Sequence, residues 1–127
     1  WTTMGHLYKG GMWFKKKSVL LADHHYDTEK SVDGTDWRTN GNANNWPASQ
    51  TLPSAADANK YFYLPALSYY VSGLLDFVGN NGEYWSSSAS AWNGSSGSGA
   101  YELYFDSGIV NVGNAGGDYG FRVGGFE

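Results

Sequence analysis

Residues 101–123, "YELYFDSGIVNVGNAGGDYGFRV", decide how this chain is read. Ser107-Gly108 is a two-residue turn signal between alternating strands, which sets Asp106 opposite Ile109. Counting back from the turn, Phe105 pairs with Val110, Tyr104 with Asn111, and Leu103 with Val112. Side chains alternate along a strand, so Leu103, Phe105, Val110 and Val112 share one uniformly apolar face, which must be core. Tyr104, Asp106, Ile109 and Asn111 share the other. That mixture of aromatic, acid, aliphatic and amide suits neither a core nor a plain solvated strand. Beyond it, Gly113, Asn114, Ala115, Gly117 and Asp118 offer almost nothing to pack until Tyr119 and "GFRV".

Composition frames the hairpin. The chain has 127 residues, the size of one domain, with 18 Gly, 6 Trp, 10 Tyr and 6 Phe. Aromatic side chains bury about 150–250 Å² each, so a few can carry a core that is poor in Leu and Ile. Abundant glycine beside aromatic and β-branched residues points to short strands and tight turns. The net charge of −4, with 8 Lys and Arg, leaves no basic face for nucleic acid. No apolar run is long enough for a bilayer-spanning helix, so membrane insertion is not expected. Cysteine is absent, which removes disulfides, thiolate metal sites and cysteine nucleophiles together. The opening on Trp1 suggests the C-terminal part of a longer protein, here a single domain over 1–127.

Along the chain, residues 1–22 read as two short strands around "KGG" and "KKKS". Residues 23–53 are rich in Asp, Asn, Gly, Ser and Pro and read as a long irregular segment, pinned by Trp37 and Trp46. Ser54 with Asp57 three residues on resembles a capping box, placing a brief helix near 54–60. "YFYLP" is extended and Pro65 ends anything helical. "LSYYVSGLLDFVG" and "EYWSSS" supply further strands. The Ser/Gly/Ala-rich run at 86–100 is a loop, broken by Trp92 and Asn93. The expectation is a strand-dominated α+β domain with one or two short helices and long irregular loops.

From residue 61 on, the order "FYLPALSYYVSGLLDFVGNNGEYWSSS", "AYELYFDSG", "YGFRV" resembles the Fibrobacter succinogenes major paralogous domain. It is also similar to the variable proteins of diversity-generating retroelements from gut bacteria and their phages. Both groups have a C-type lectin fold of the formylglycine-generating-enzyme type, and the resemblance covers roughly the C-terminal half. It implies a C-type-lectin-like fold and, in the variable-protein group, a C-terminal region rewritten by adenine-directed mutagenesis of asparagine-type codons. Tyr104, Asp106, Ile109, Asn111, Gly113, Asn114, Ala115, Gly117, Asp118 and Tyr119 are all reachable by such changes; Trp92 and Glu102 are not and would be fixed.

Enzymatic readings fit poorly. Formylglycine-generating chemistry needs cysteine. No pair of carboxylates stands out for glycoside hydrolysis. His6, His24 and His25 accompany many serines, but no G-x-S-x-G elbow lies between a strand and a helix. "ADHHYD" offers Asp23, His24, His25 and Asp27, yet adjacent strand histidines point to opposite faces. Asp33 and Asp36 lack the ligand spacing of a calcium loop. "AWNG" has Gly where the sugar-binding lectins carry an acid, so calcium-mediated sugar binding is not implied. Neither metal nor cofactor is expected, and Arg122 reads as a structural arginine bonded to carbonyls.

A binding surface is what these residues suit. Tyr, Trp, Ser, Gly and Asn give rigid contact area and adaptable hydrogen bonds. The expected ligand-binding set is Trp92, Tyr101 and the ten adenine-reachable residues from Tyr104 to Tyr119, with Tyr84 and Trp85 in the core. The expected partner is a macromolecule, a protein or a surface glycan receptor, met at a cell surface or on a phage particle outside the cell. A non-diversified structural or adhesive domain of a surface or fimbria-like protein is the alternative.

Overall fold

The structure is a computed structural model that describes residues 2–3, 6–7, 10–23, 30, 34–36, 44–89, 99–116 and 120–121. Strands dominate. In chain order they are β1 (Thr2–Thr3), β2 (His6–Leu7), β3 (Gly11–Lys15), β4 (Asn44–Pro47), β5 (Tyr61–Pro65), β6 (Tyr69–Val71), β7 (Leu74–Leu75), β8 (Gly82–Ala89), β9 (Gly99–Phe105), β10 (Ile109–Gly116) and β11 (Gly120–Phe121). One six-residue helix, α1 (Lys17–Ala22), and one 3₁₀ turn, Ala58–Lys60, complete the described elements. No helix among the described residues is long and apolar enough to cross a membrane.

The central sheet is antiparallel in the order β4-β10-β9-β8. Its hairpin has the register counted from the sequence: Val110 opposite Phe105, Asn111 opposite Tyr104, Val112 opposite Leu103. A two-stranded ribbon of β3 and β5 pairs Phe14 with Phe62 and Met12 with Leu64. It lays those side chains on the inner face of the sheet. The core is Leu64, Ala66, Tyr84 and Phe105, with Met12, Phe14, Phe62, Leu103 and Val110 packed around it. Phe105, 2% exposed, is its centre. Its ring stacks on Tyr84 at 6.1 Å and meets the edge of Phe14 at 5.5 Å. The Tyr84 hydroxyl donates to the Pro65 carbonyl and ties sheet to ribbon.

A third sheet, β11-β6-β7, lies against the opposite face of β8. Phe121 packs on Trp85 at 4.3 Å and on Tyr69 at 6.1 Å. The β6–β7 connection is a tight hairpin in which Ser72 (φ 50°) and Gly73 (φ 80°) both take left-handed conformations. That is the signature of a type I′ turn, whose twist matches the strands it joins.

Two expectations are corrected. "KSVLLA" forms α1 and not a second strand: it lacks period-two alternation, and Lys, Leu and Ala are good helix formers. A Lys15–Asp23 ion pair links the residues flanking the helix. Asn44–Pro47, expected within an irregular segment, adds an edge strand to the central sheet by pairing with β10. The Ser54–Asp57 reading holds in its chemistry. The Asp57 N–H donates to Ser54 Oγ at 3.2 Å, and that hydroxyl donates back to the Asp57 carboxylate at 2.7 Å. The helix expected at 54–60 is only a single 3₁₀ turn, Ala58–Lys60, that starts after Asp57 without a side-chain cap and halts where Tyr61 turns extended.

Candidate functional site

The hairpin turn is built around one carboxylate. Asp106 Oδ1 accepts the N–H of Gly108 at 2.7 Å and of Ile109 at 2.9 Å, and Oδ2 accepts the Tyr104 hydroxyl at 3.0 Å. The Asp106 N–H donates to the Ile109 carbonyl at 3.0 Å. Ser107 and Gly108 do not take positive φ, so this is not a primed turn; the aspartate side chain closes it as an Asx-type cap. The two backbone bonds hold the Asp106 carboxyl below the usual carboxylate range. Burial, then the bond to Asp106, pushes the Tyr104 hydroxyl up to about 12.

The alternation that buries Phe105 leaves Tyr104, Asp106, Ile109 and Asn111 on the outer face, each half-buried. Strand β4 extends that face. Ile109 lies opposite Pro47 and Asn111 opposite Asn45, and the Asn111 amide donates to the Asn45 side-chain oxygen. Asn45 and Pro47, both exposed, are members that the sequence reading missed. The sequence held no signal for them, since "NNWP" does not stand apart from the Asn- and Gly-rich run around it.

Other expected members fall elsewhere. Tyr101 is 4% exposed, because residues 101, 103 and 105 share the inward face; it is removed from the accessible surface. Asn114, opposite Tyr101, shares that inward face. Gly113, opposite Glu102, lies on the outer face but is buried, while Ala115 on the same face is half-buried. Trp92, Gly117, Asp118 and Tyr119 lie outside the described residues, as do His24, His25, Asp27, Asp33 and Arg122. Among the described residues no group of three or more His, Asp or Glu could hold a metal ion.

Toward β8 the outer face closes. Glu83 stands opposite Tyr104, and Glu102 opposite Trp85, so the two acids are diagonal neighbours on one face. Glu83 is only 8% exposed. Burial first, then the charge of Glu102, raises its carboxyl to about 7, against the opposing hydrogen bond from the Asn81 amide at 2.8 Å. Burial also raises Glu102. The sequence singles out no carboxylate pair for glycoside hydrolysis; strand pairing brings together two acids nineteen apart in sequence. Neither acid lines a described cleft, so the pair closes one end of the face instead of opening a reaction site. The accessible part of the face is Tyr104, Asp106, Ile109 and Asn111 with Asn45 and Pro47. It offers one ring, one capped carboxylate and two amides, a surface for contact and hydrogen bonding. Searched against known families, characterised proteins and solved structures, the chain matches none.

Proposed function

We propose that this domain is a ligand-binding display domain of C-type-lectin-like fold, the variable protein of a diversity-generating retroelement. The observation that supports the reading is the hairpin register. It separates Phe105, with Leu103 and Val110 packed around it in the core, from Tyr104, Asp106, Ile109 and Asn111, which are not part of the core. All four of the latter are reachable from asparagine codons by adenine changes, so substitution on that face leaves the packed residues alone. The partner is a macromolecule met outside the cell, a protein or a surface glycan receptor, and the domain is not an enzyme. Sequencing the source locus tests this. A reverse transcriptase gene is expected nearby, with a near-copy of the segment encoding roughly residues 84–123 that differs only at adenines. A locus with neither overturns the diversified reading in favour of a structural or adhesive surface domain.

A further inference from the structure

The β3–β5 ribbon carries its hydrogen bonds on alternate residues. The Ala66 N–H donates to the Gly10 carbonyl at 3.0 Å, and the Lys16 N–H to the Lys60 carbonyl at 2.9 Å. With the register between those two bonds, Met12 and Phe14 are the β3 residues that bond to β5. Gly11, Trp13 and Lys15 therefore turn their backbone N–H and C=O groups away from β5. Among the described residues no strand pairs with that edge of β3, and those backbone groups make no hydrogen bond. The core fixes which way the edge looks. Ribbon strand β5 lies toward β8, where the Tyr84 hydroxyl donates to the Pro65 carbonyl. Strand β3 lies toward β9 and β10, where Phe14 meets Phe105 and neighbours Val110. Its free edge opens on a cleft of about 750 Å³ bounded on the other side by the 47–54 segment.

The 47–54 wall is fixed to the hairpin turn. The Ala48 N–H donates to the Gly108 carbonyl at 2.9 Å, and the Gln50 amide donates to the Ser107 carbonyl. Phe14, Phe105 and Val110 form an apolar floor, and Leu52, 76% exposed, belongs to the wall. Trp13 and Lys15 project from the opposite face of the ribbon, so the cleft receives their main chain and not their side chains. A free edge beside an apolar floor selects an extended backbone as its occupant. Edges are ordinarily blunted by Pro, bulges or inward charges, and Met12–Phe14 carries none of these. Charge narrows the choice. Lys15 and Lys60, beside the cleft, are neutralised by Asp23 and Asp57. The Asp106 carboxylate, at the hairpin end, is held by two N–H groups and a tyrosine hydroxyl, none of which carries charge. That end of the cleft keeps one negative charge with no counter-charge among the described residues.

We propose that this cleft takes an extended peptide segment of a partner protein as an added strand on β3. Alternate apolar side chains of the peptide would lie on the floor of Phe14, Phe105 and Val110, with a Lys or Arg at the Asp106 end. The β3 edge and that floor are no part of the outer hairpin face, so the proposal holds whether or not that face is diversified. Blocked octapeptides that alternate Val or Leu with Ser or Thr, with one Lys at either end, are titrated into the whole chain by calorimetry. At least one should bind, and its Lys→Gln form should bind several-fold more weakly. N-methylation of the bound peptide at alternate amides reads the mode directly. Methyl groups on the amides that face β3 should abolish binding, while those on the intervening amides should change it by less than about twofold. Trp13→Pro removes an N–H that β5 does not use and should weaken binding by at least about tenfold. Trp13→Ala, which keeps that N–H, should weaken it less. Binding by no peptide of the set overturns the proposal. So does binding that both methylation patterns weaken equally, or that Trp13→Pro leaves unchanged. A dimer in sedimentation that Trp13→Pro dissolves would also overturn it, in favour of β3 pairing with a second copy of this chain.

Discussion

Neighbouring residues of the hairpin differ in kind as well as in degree. Phe105 sits where two aromatic rings and the sheet converge, and truncation there leaves a cavity; Phe105→Ala is expected to cost about 3–5 kcal/mol. Asp106 is exposed enough to look dispensable, yet its carboxylate serves three donors. Asp106→Ala should cost about 1–2 kcal/mol, and Asp106→Asn, which keeps an acceptor at Oδ1, less. Asn111→Ala loses one exposed side-chain bond and should stay within about 0.5 kcal/mol. Urea unfolding of the four variants checks the order; a larger loss at Asn111 than at Phe105 would mean a register slipped by one residue. Ser68 shows the reverse economy. It is 2% exposed, holds φ 47°, and its hydroxyl makes no hydrogen bond. Ser68→Gly relieves both the left-handed backbone and the unsatisfied hydroxyl, and should raise stability by about 1 kcal/mol in the same assay.

Among the elements, two glycines of one sheet carry opposite meanings. Gly82 on β8 faces Phe105 across the ladder, and a Cβ there would overlap the phenyl ring. The missing side chain makes room for the central core residue. Gly82→Ala should cost about 3 kcal/mol or more, since the Tyr84 and Phe14 rings already pack against the phenyl ring. Gly108, at the hairpin turn, needs no positive φ, and a Cβ would meet only the Asp106 carboxylate at ordinary contact distance. Gly108→Ala should be neutral or stabilise by about 0.5 kcal/mol, through a less flexible unfolded chain. Thermal melts of the two variants separate the outcomes. A destabilised Gly108→Ala would indicate a primed turn, which alanine cannot follow.

For the molecule as a whole, the acid pair sets a pH dependence. The Glu83 carboxyl is raised from 4.5 to about 7 in the fold, so the folded state holds a proton that the unfolded chain has released. Glu102 is shifted in the same direction. The contribution is fully present below about 4.5 and is lost as pH rises through about 7, so stability should fall between about pH 5 and pH 8 by roughly 1–3 kcal/mol. Asp57 and Asp106 are lowered and act oppositely, losing their contribution only as pH falls below the usual carboxylate range. Denaturant unfolding across that pH range should show the decline in the parent chain and a flatter profile in Glu83→Gln. An equal slope in both would place the titration elsewhere.

What could be read from residue order was whatever short-range geometry controls. The 103–112 hairpin and its core face follow from strict alternation on either side of a two-residue turn. The Ser54–Asp57 bonding and the extended 61–65 run likewise depend on neighbours within a few positions. Where several conformations are locally acceptable, only tertiary contacts chose. "NNWP" has no propensity that separates strand from loop, and becomes β4 because β10 offers it a free edge. "KSVLLA" could extend or coil, and coils where it meets no partner strand. Tyr101 looked like a surface tyrosine by type, but its parity with Phe105 sends it inward. Glu83 and Glu102 are unremarkable acids until β8 and β9 pair, after which desolvation and mutual repulsion give them a chemistry that neither has alone.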